Sequence, residues 1–503
     1  MSSSQVDTEK FSTEHVESSF PDGSQEDQFA VKALQESDLT STHREFLISR
    51  HGSVDLDPLP SGDPSEPINW PDSTKMWHLI LLSCQAFTCT FMSAGISPAY
   101  SAMALQYGKT VDDCSYLTTA QLVCLGVGPL VWYRLMQVYG RKPVMAYATF
   151  GAMVTNIGGG FCKTYGQQMA TRVLNGIFLS PACGLCGDFV ASLFFAHERG
   201  VKNGLWSVSV IIGTPMGPFL MGFVVQHVGF KWIYFIFAIF NFLQFVGWAI
   251  SKETLYERND QMAKRDWKSS LYIKKYPNKS FRFMDIFIPL KLSKNFVAAA
   301  ITFANSVVFC YANVVFIVET PSIYGRLFGL DSQQTALQYI PLIVGTVIGE
   351  LIAGKGSDIW MERCVRKRGG VRVPADRLIL SYLGIVCTIA GLIVWGVCLK
   401  QATPGVWNVK PSIGTGVAAA GADIVLTITI TFLVDNTPWE ANNIGLFLPM
   451  CRLILGFISP FYFPKMFENL NYAGSAGFMA GMCLVAGIVI AIVHFQQLRR
   501  LKK

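Results

Sequence analysis

Twelve apolar segments, each long enough to cross a lipid bilayer, recur along this sequence. They cover roughly 77–98, 116–136, 143–162, 168–195, 204–227, 232–250, 297–319, 334–354, 378–399, 412–434, 441–462 and 474–495. A bilayer core about 30 Å thick needs about 20 apolar residues of helix at about 1.5 Å per residue. Only 15% of the 503 residues are charged, against about 25% in soluble domains, and the mean hydropathy is +0.36. A soluble chain this apolar could not cover its surface with polar groups. The expectation is an all-α membrane protein of twelve transmembrane helices.

Polar residues 251–296 divide the segments into two sets of six. The expected domains are a disordered tail over 1–75, a six-helix bundle over 76–250, a basic linker over 251–296, a second six-helix bundle over 297–495 and a short tail over 496–503. The long tail is assigned by its Ser, Asp, Glu and Pro content. The first twenty residues lack the apolar run of a signal peptide, so the first segment is expected to serve as the insertion signal.

Lys and Arg set the orientation. In and beside the even-numbered connections and the C-terminal tail lie 27 of them, against 7 on the opposite side. Basic residues favour the cytoplasmic side, which places both termini in the cytoplasm. The same bias explains the net charge of +7 without a nucleic-acid partner. The sequon Asn278-Lys279-Ser280 in the linker would then carry no sugar.

Most of the 13 cysteines lie inside apolar runs and read as small hydrophobes. Cys183 and Cys186 have redox-pair spacing, but no basic neighbour would activate a thiolate there. The sequence offers no metal-ligand cluster, phosphate loop or nucleophile–base set. No cofactor, no metal and no enzymatic role are expected.

Segment five contains "IIGTPMGPFLMG", residues 211–222. In a soluble helix each interior Pro costs about 3 kcal/mol and each Gly about 1 kcal/mol relative to Ala. In lipid, small residues let two helix backbones approach closely. Gly213 and Gly217 are four residues apart and share a face, while Pro218 bends the helix. A bent, close-packed helix is expected.

Ionisable residues at bilayer depth are candidates for function, since an Arg there costs about 2.5–3.5 kcal/mol on insertion scales. Arg172 and Asp188 lie in segment four, Glu319 in seven, Glu350 in eight, Asp423 and Asp435 in ten and Arg452 in eleven. Arg172 and Asp188 are 16 residues apart on one helix, about 24 Å, and cannot pair. Asp188, Glu350 and Asp423 can bind a proton or a cationic substrate; each has an alternative as a hydrogen-bonded packing residue. Asp435 and Arg452 are placed near cytoplasmic helix ends as gate residues. Gln121, Asn175, Asn305, Tyr311 and Asn313 are expected to line a cavity, with helix–helix hydrogen bonding as the alternative. Asn305 and Asn313, eight residues apart, would share a face.

Two six-helix halves around a basic linker resemble the major facilitator superfamily, whose halves rock about a site near the membrane midplane. "GTPMGPFLMG" resembles the fifth-helix signature GxxxGPxxGG of its drug:proton antiporters: Gly213, Gly217, Pro218 and Gly222 match, and Met221 stands where the pattern has Gly. "RVLNG", with Arg172, Asn175 and Gly176, is similar to the RxxQG motif, whose Arg is linked to proton coupling. "YRLMQVYGRKP" (133–143) is similar to the 2–3 loop signature GxxxDxxGRR through Gly140, Arg141 and Lys142. Tyr133 and Gln137 replace its Gly and acid. "GKGSD", ending at Asp358, is a weaker echo in the second half, so the cytoplasmic latch is expected to lean on that half. "DPSEPINWPDSTK" (63–75), "FFAHERG" (194–200), "KETLY" (252–256), "GGVRVPADRL" (369–378) and "PFYFPKM" (460–466) resemble segments of fungal 12-spanning transporters of this type. That group spans multidrug, organic-cation, polyamine and secondary-metabolite transporters.

The resemblance implies a monomeric, proton-coupled exporter of small organic molecules in the plasma membrane. Arg172, Asp188, Glu350 and Asp423 would couple protons to substrate. Gly140, Arg141, Lys142, Asp358, Asp435 and Arg452 would form the cytoplasmic gate. The alternative is an importer of polyamines or other organic cations with the same fold. A membrane enzyme or receptor is a distant third, opposed by the span count and the missing catalytic set.

Overall fold

A computed structural model describes residues 40–184, 186–256, 275 and 281–500. Twelve helical runs fall on the twelve apolar segments: α1 (Asp72–Tyr107), α2 (Val111–Tyr139), α3 (Arg141–Phe161), α4 (165–193), α5 (Ala196–Val228), α6 (Lys231–Ile250), α7 (Phe296–Phe328), α8 (Ser332–Lys367), α9 (Leu378–Lys400), α10 (Lys410–Asn436), α11 (Ala441–Ile458) and α12 (Phe463–Arg500). Ten of them are long and apolar enough to cross a membrane. The other two are α3, of 21 residues, and α4, in which the turn at Ser180 separates Tyr165–Leu179 from Pro181–Gly184. The described residues contain no strand. In lipid a helix satisfies its own backbone, which is why the apolar runs fold this way.

Helix starts carry their own signals. Capping boxes Thr110–Asp113, Thr164–Gln167 and Asp331–Gln334 open α2, α4 and α8. Each pairs a side-chain acceptor with an orphan N–H of the first turn. In the first half α1 packs on α5 and α3 on α6; in the second, α9 packs on both α10 and α12, and α8 on α10. The halves meet where α2 lies on α11 and α5 on α8.

The expectation of a disordered tail fails over residues 40–75. Ser41–His51 is a helix whose Leu47 is fully buried, and Leu47 packs with Leu56, Ile68 and Phe195. The Ala196 N–H donates to the Asp57 carbonyl at 2.8 Å. Tyr256 donates to Asp63 at 2.9 Å, and Trp77 to Ser251 at 3.1 Å. A few apolar anchors, too sparse to read as a core, tie this lead-in to the first half. Residues 1–39 and the Asn278 sequon lie outside the described residues.

Candidate functional site

The breakers of α5 make contacts that only glycine permits. A Cβ on Gly213 would stand 2.6 Å from the Phe87 carbonyl oxygen, and one on Gly217 2.3 Å from that of Phe91, both on α1. Thr90 of α1 donates to the Val210 carbonyl of α5 at 2.9 Å. Gly222 faces a different neighbour: its Cβ would lie 2.3 Å from Ala336 Cβ, on α8. The motif therefore joins α5 both to α1 and, across the seam between halves, to α8. Met221, in place of the patterned Gly, is buried against Gly95.

Beside this contact α1 breaks. Its first helix ends at Ala94, and a 3-10 turn, Ser97–Ala99, precedes the next. Arg172 of α4 fills the break. It donates to the Met92 carbonyl at 3.2 Å through each terminal nitrogen, to Ser93 O at 2.9 Å and to Leu117 O at 3.4 Å. A guanidinium at bilayer depth thus meets the negative end of a helix dipole rather than a carboxylate. The neighbouring amides are engaged in packing. Gln121 donates to Asn175 at 3.1 Å, and Asn175 donates to Ala152 O and Thr155 at 3.2 and 3.1 Å.

The expected shared face of Asn305 and Asn313 is lost. α7 contains a π-helical turn, Cys310–Val314, whose extra residue shifts the register. Asn305 donates to Thr429 at 2.8 Å and to Leu426 O at 3.2 Å, both on α10. Tyr311 turns instead toward α12, its ring 6.2 and 6.1 Å from those of Phe463 and Phe478. Asn313 Oδ1 is buried and has no partner among the described residues.

Three charged side chains gather where the halves meet. Glu350 of α8 accepts from Thr427 of α10 at 2.8 Å and from Ser207 of α5. Ser207 belongs to the first half and Glu350 to the second, so this carboxylate bridges the seam. Asp423 of α10 is buried and accepts from Thr346 of α8, while its Oδ2 has no partner among the described residues. Gly349 allows this approach of α8 to α10, since a Cβ there would meet Asp423 Cβ at 3.1 Å. Arg452 lies close enough for its charge to act on Asp423, and its guanidinium sits 5.0 Å from the centre of the Phe309 ring. The sequence placed Arg452 near a helix end. It lies instead in the interior of α11, Ala441–Ile458.

Asp188 lies the other way, at the edge of the bundle that holds the 2–3 connection. Gln137 donates to it at 3.3 Å and Arg141 pairs with it at 3.9 Å. It also accepts from Tyr133 and, across the seam, from Asn442 at the start of α11. The acid that Gln137 lacks is thereby supplied from α4. The first half thus has a charged cluster of its own, beside the expectation that the latch would lean on the second half.

Glu253, after α6, was missed as a site residue. It turns its carboxylate inward to accept the Arg141 and Lys142 N–H groups at 3.0 and 3.1 Å, capping α3. Desolvation pushes its pKa above the usual 4.5 against the pull of these amides and of Leu255 N–H. Gly140, with φ of 95°, leaves room for it: a Cβ would lie 2.6 Å from Glu253 Oε2. The signal was the acid of "KETLY", whose capping role depends on a helix start distant in sequence.

In the second half Arg377 pairs with Asp358 and Asp435, each at 2.9 Å, and Arg372 approaches Asp435 at 3.5 Å. Arg377, which the sequence reading did not single out, is the centre of this cluster. No group of His, Cys, Asp and Glu among the described residues could hold a metal ion. Cys183 Sγ faces Cys89 Sγ of α1 at 2.9 Å.

A family model described as Major Facilitator Superfamily matches residues 82–460. MFS transporter fsa7 of Fusarium sp. is 28% identical, over 75% of this chain and 75% of its own length. Efflux pump vrtL of Penicillium aethiopicum is 25% identical, over 88% of this chain and 89% of its own. Among solved structures, a D-xylose-proton symporter superposes with a TM-score of 0.64 at 14% identity, covering 83% of this chain and 97% of that one. That likeness is one of fold.

Proposed function

The chain belongs to the Major Facilitator Superfamily, and from that membership we propose that it is a proton-driven exporter of small organic molecules. It is a multi-pass membrane transporter, not an enzyme. In this reading it stands in the plasma membrane as a monomer, with both termini in the cytoplasm. Two halves rock about the seam, and protons moving inward drive substrate out.

Glu350 carries the proposal. It is a carboxylate bonded to helices of both halves, so its protonation state acts on their contact. Glu350 and Asp423 together hold two carboxyl groups against the one guanidinium of Arg452. The surplus carboxylate takes either a proton or the cationic end of a substrate. Competition for one site makes exchange obligatory, and cationic or amphipathic molecules are the substrate class. The close contact of α5 on α1 and α8, and the fungal relatives named efflux pumps, support outward transport.

The test compares small-molecule content of cells with and without the chain, before and after the proton gradient is collapsed. Accumulation inside the deletant, abolished as a difference by gradient collapse, is expected. Depletion inside the deletant would replace export with uptake. A difference indifferent to the gradient would remove proton coupling.

A further inference from the structure

At the end of the bundle opposite the chain termini, a charged pair crosses the seam. Asp112 stands in the first turn of α2, in the first half. Arg326 stands in the last turn of α7, in the second. Its guanidinium pairs with one Asp112 oxygen, and Ser322 Oγ donates to the other at 2.8 Å. Each charge also suits its own helix end, an acid at an N-terminus and a base at a C-terminus. The closed arrangement therefore holds both helix ends together without leaving either charge unpaired.

Further contacts close the same end. Ser97 and Tyr339 share a hydrogen bond at 3.2 Å, and Ser332 donates to the Pro98 carbonyl at 3.1 Å. Both join α1 to α8, again across the halves. The Tyr116 ring of α2 stacks on Phe461, beyond α11, at 4.7 Å. The charged pair is the ionic member of this set and is partly exposed: the Arg326 side chain is 55% exposed and Asp112 24%. A wetted ion pair is weak and is easily exchanged for water. That suits a contact broken and remade in each cycle, whereas the cytoplasmic Arg377 cluster ties together helices of one half only.

We propose that Asp112, Ser322 and Arg326 form the outer gate, a latch that keeps the halves closed on the side opposite the termini. The proposal rests on the rocking motion of the proposed function, but not on the direction of transport. Arg326 and Asp112 are positioning residues: they touch no substrate and set which side of the seam is open.

The readout is the native thiol of Cys183, beside Arg452 at the seam. Intact cells are treated with a membrane-impermeant maleimide, and the labelled Cys183 peptide is quantified by mass spectrometry. Asp112→Asn and Arg326→Gln should each raise labelling at least threefold. The exchange Asp112→Arg with Arg326→Asp should return it toward wild type, and Arg326→Lys should leave it nearly unchanged. Unchanged labelling in both neutral variants, at wild-type expression and melting temperature, would overturn the gate. A rise that the exchange fails to reverse would also overturn it, because the loss would then be one of packing. Labelling reads conformation alone, so a chain that proves to be an importer would still show this pattern.

Discussion

Both terminal nitrogens of Arg172 donate to one acceptor, the main-chain carbonyl of Met92, at 3.2 Å each. This fork is available to Arg and not to Lys, whose ammonium is a single point of charge. Arg172→Lys should lower the melting temperature in detergent, since leaving buried carbonyls unpaired costs about 1–3 kcal/mol. Efflux should fall at least tenfold. Unchanged melting and unchanged efflux would show that the carbonyls of α1 need no guanidinium.

Gly217→Ala should destabilise the bundle, by about 1–3 kcal/mol for an overpacked contact. The new methyl would press on the Phe91 carbonyl 2.3 Å away, a backbone atom that cannot swing aside. Gly200→Ala and Gly204→Ala on the same helix meet nothing within 4 Å and should be neutral. Melting curves of the three variants decide whether close approach, rather than glycine content, matters in α5.

Glu253 gives a pH signature. Its folded pKa is raised by desolvation above the usual 4.5. A carboxyl raised in this way contributes stability that is whole below the unfolded pKa and is lost as pH rises through the folded one. Wild-type stability should therefore decline as pH climbs from about 4.5, and Glu253→Gln should flatten that slope. Glu253→Ala, which uncaps α3, should cost about 0.5–2 kcal/mol at every pH. Identical slopes in wild type and Glu253→Gln would assign the decline to another group.

Glu350→Gln should abolish the pH dependence of efflux and lower its rate by an order of magnitude or more, as should Asp423→Asn. Ser207→Ala removes one neutral hydrogen bond, worth about 1 kcal/mol, and should slow efflux no more than about fivefold. The initial rate of substrate loss from preloaded cells, at external pH 5.5 and 7.5, separates the three.

Treatment with a glycosidase should not change the mobility of the protein, because Asn278 is expected to face the cytoplasm. A shift would reverse the orientation drawn from the Lys and Arg bias.

The helices were legible because hydropathy is a local property: among the described residues helices lie on each of the apolar runs, ten of them long and apolar enough to cross a membrane. The glycines of α5 were legible too, since spacing alone puts Gly213 and Gly217 on one face. Partners across the bundle were not. Asp188 looked like a membrane acid until Gln137 and Arg141 were brought to it by the fold. The shared face of Asn305 and Asn313 does not survive because a π turn between them cannot be read from a 3.6-residue period. The lead-in over 40–75 was read as disordered because its few apolar anchors only make sense once Phe195 is in place.

The second π-helical turn, Ile352–Gly356, lies in α8 between Glu350 and Asp358. It winds one residue more than an α-helical turn needs, and one residue is about 100° of rotation. If that slack were taken up, Glu350 and Asp358 would swivel relative to each other about the axis of α8. A carboxylate at the seam and an anchor paired with Arg377 would be geared to one another by a single coil of backbone.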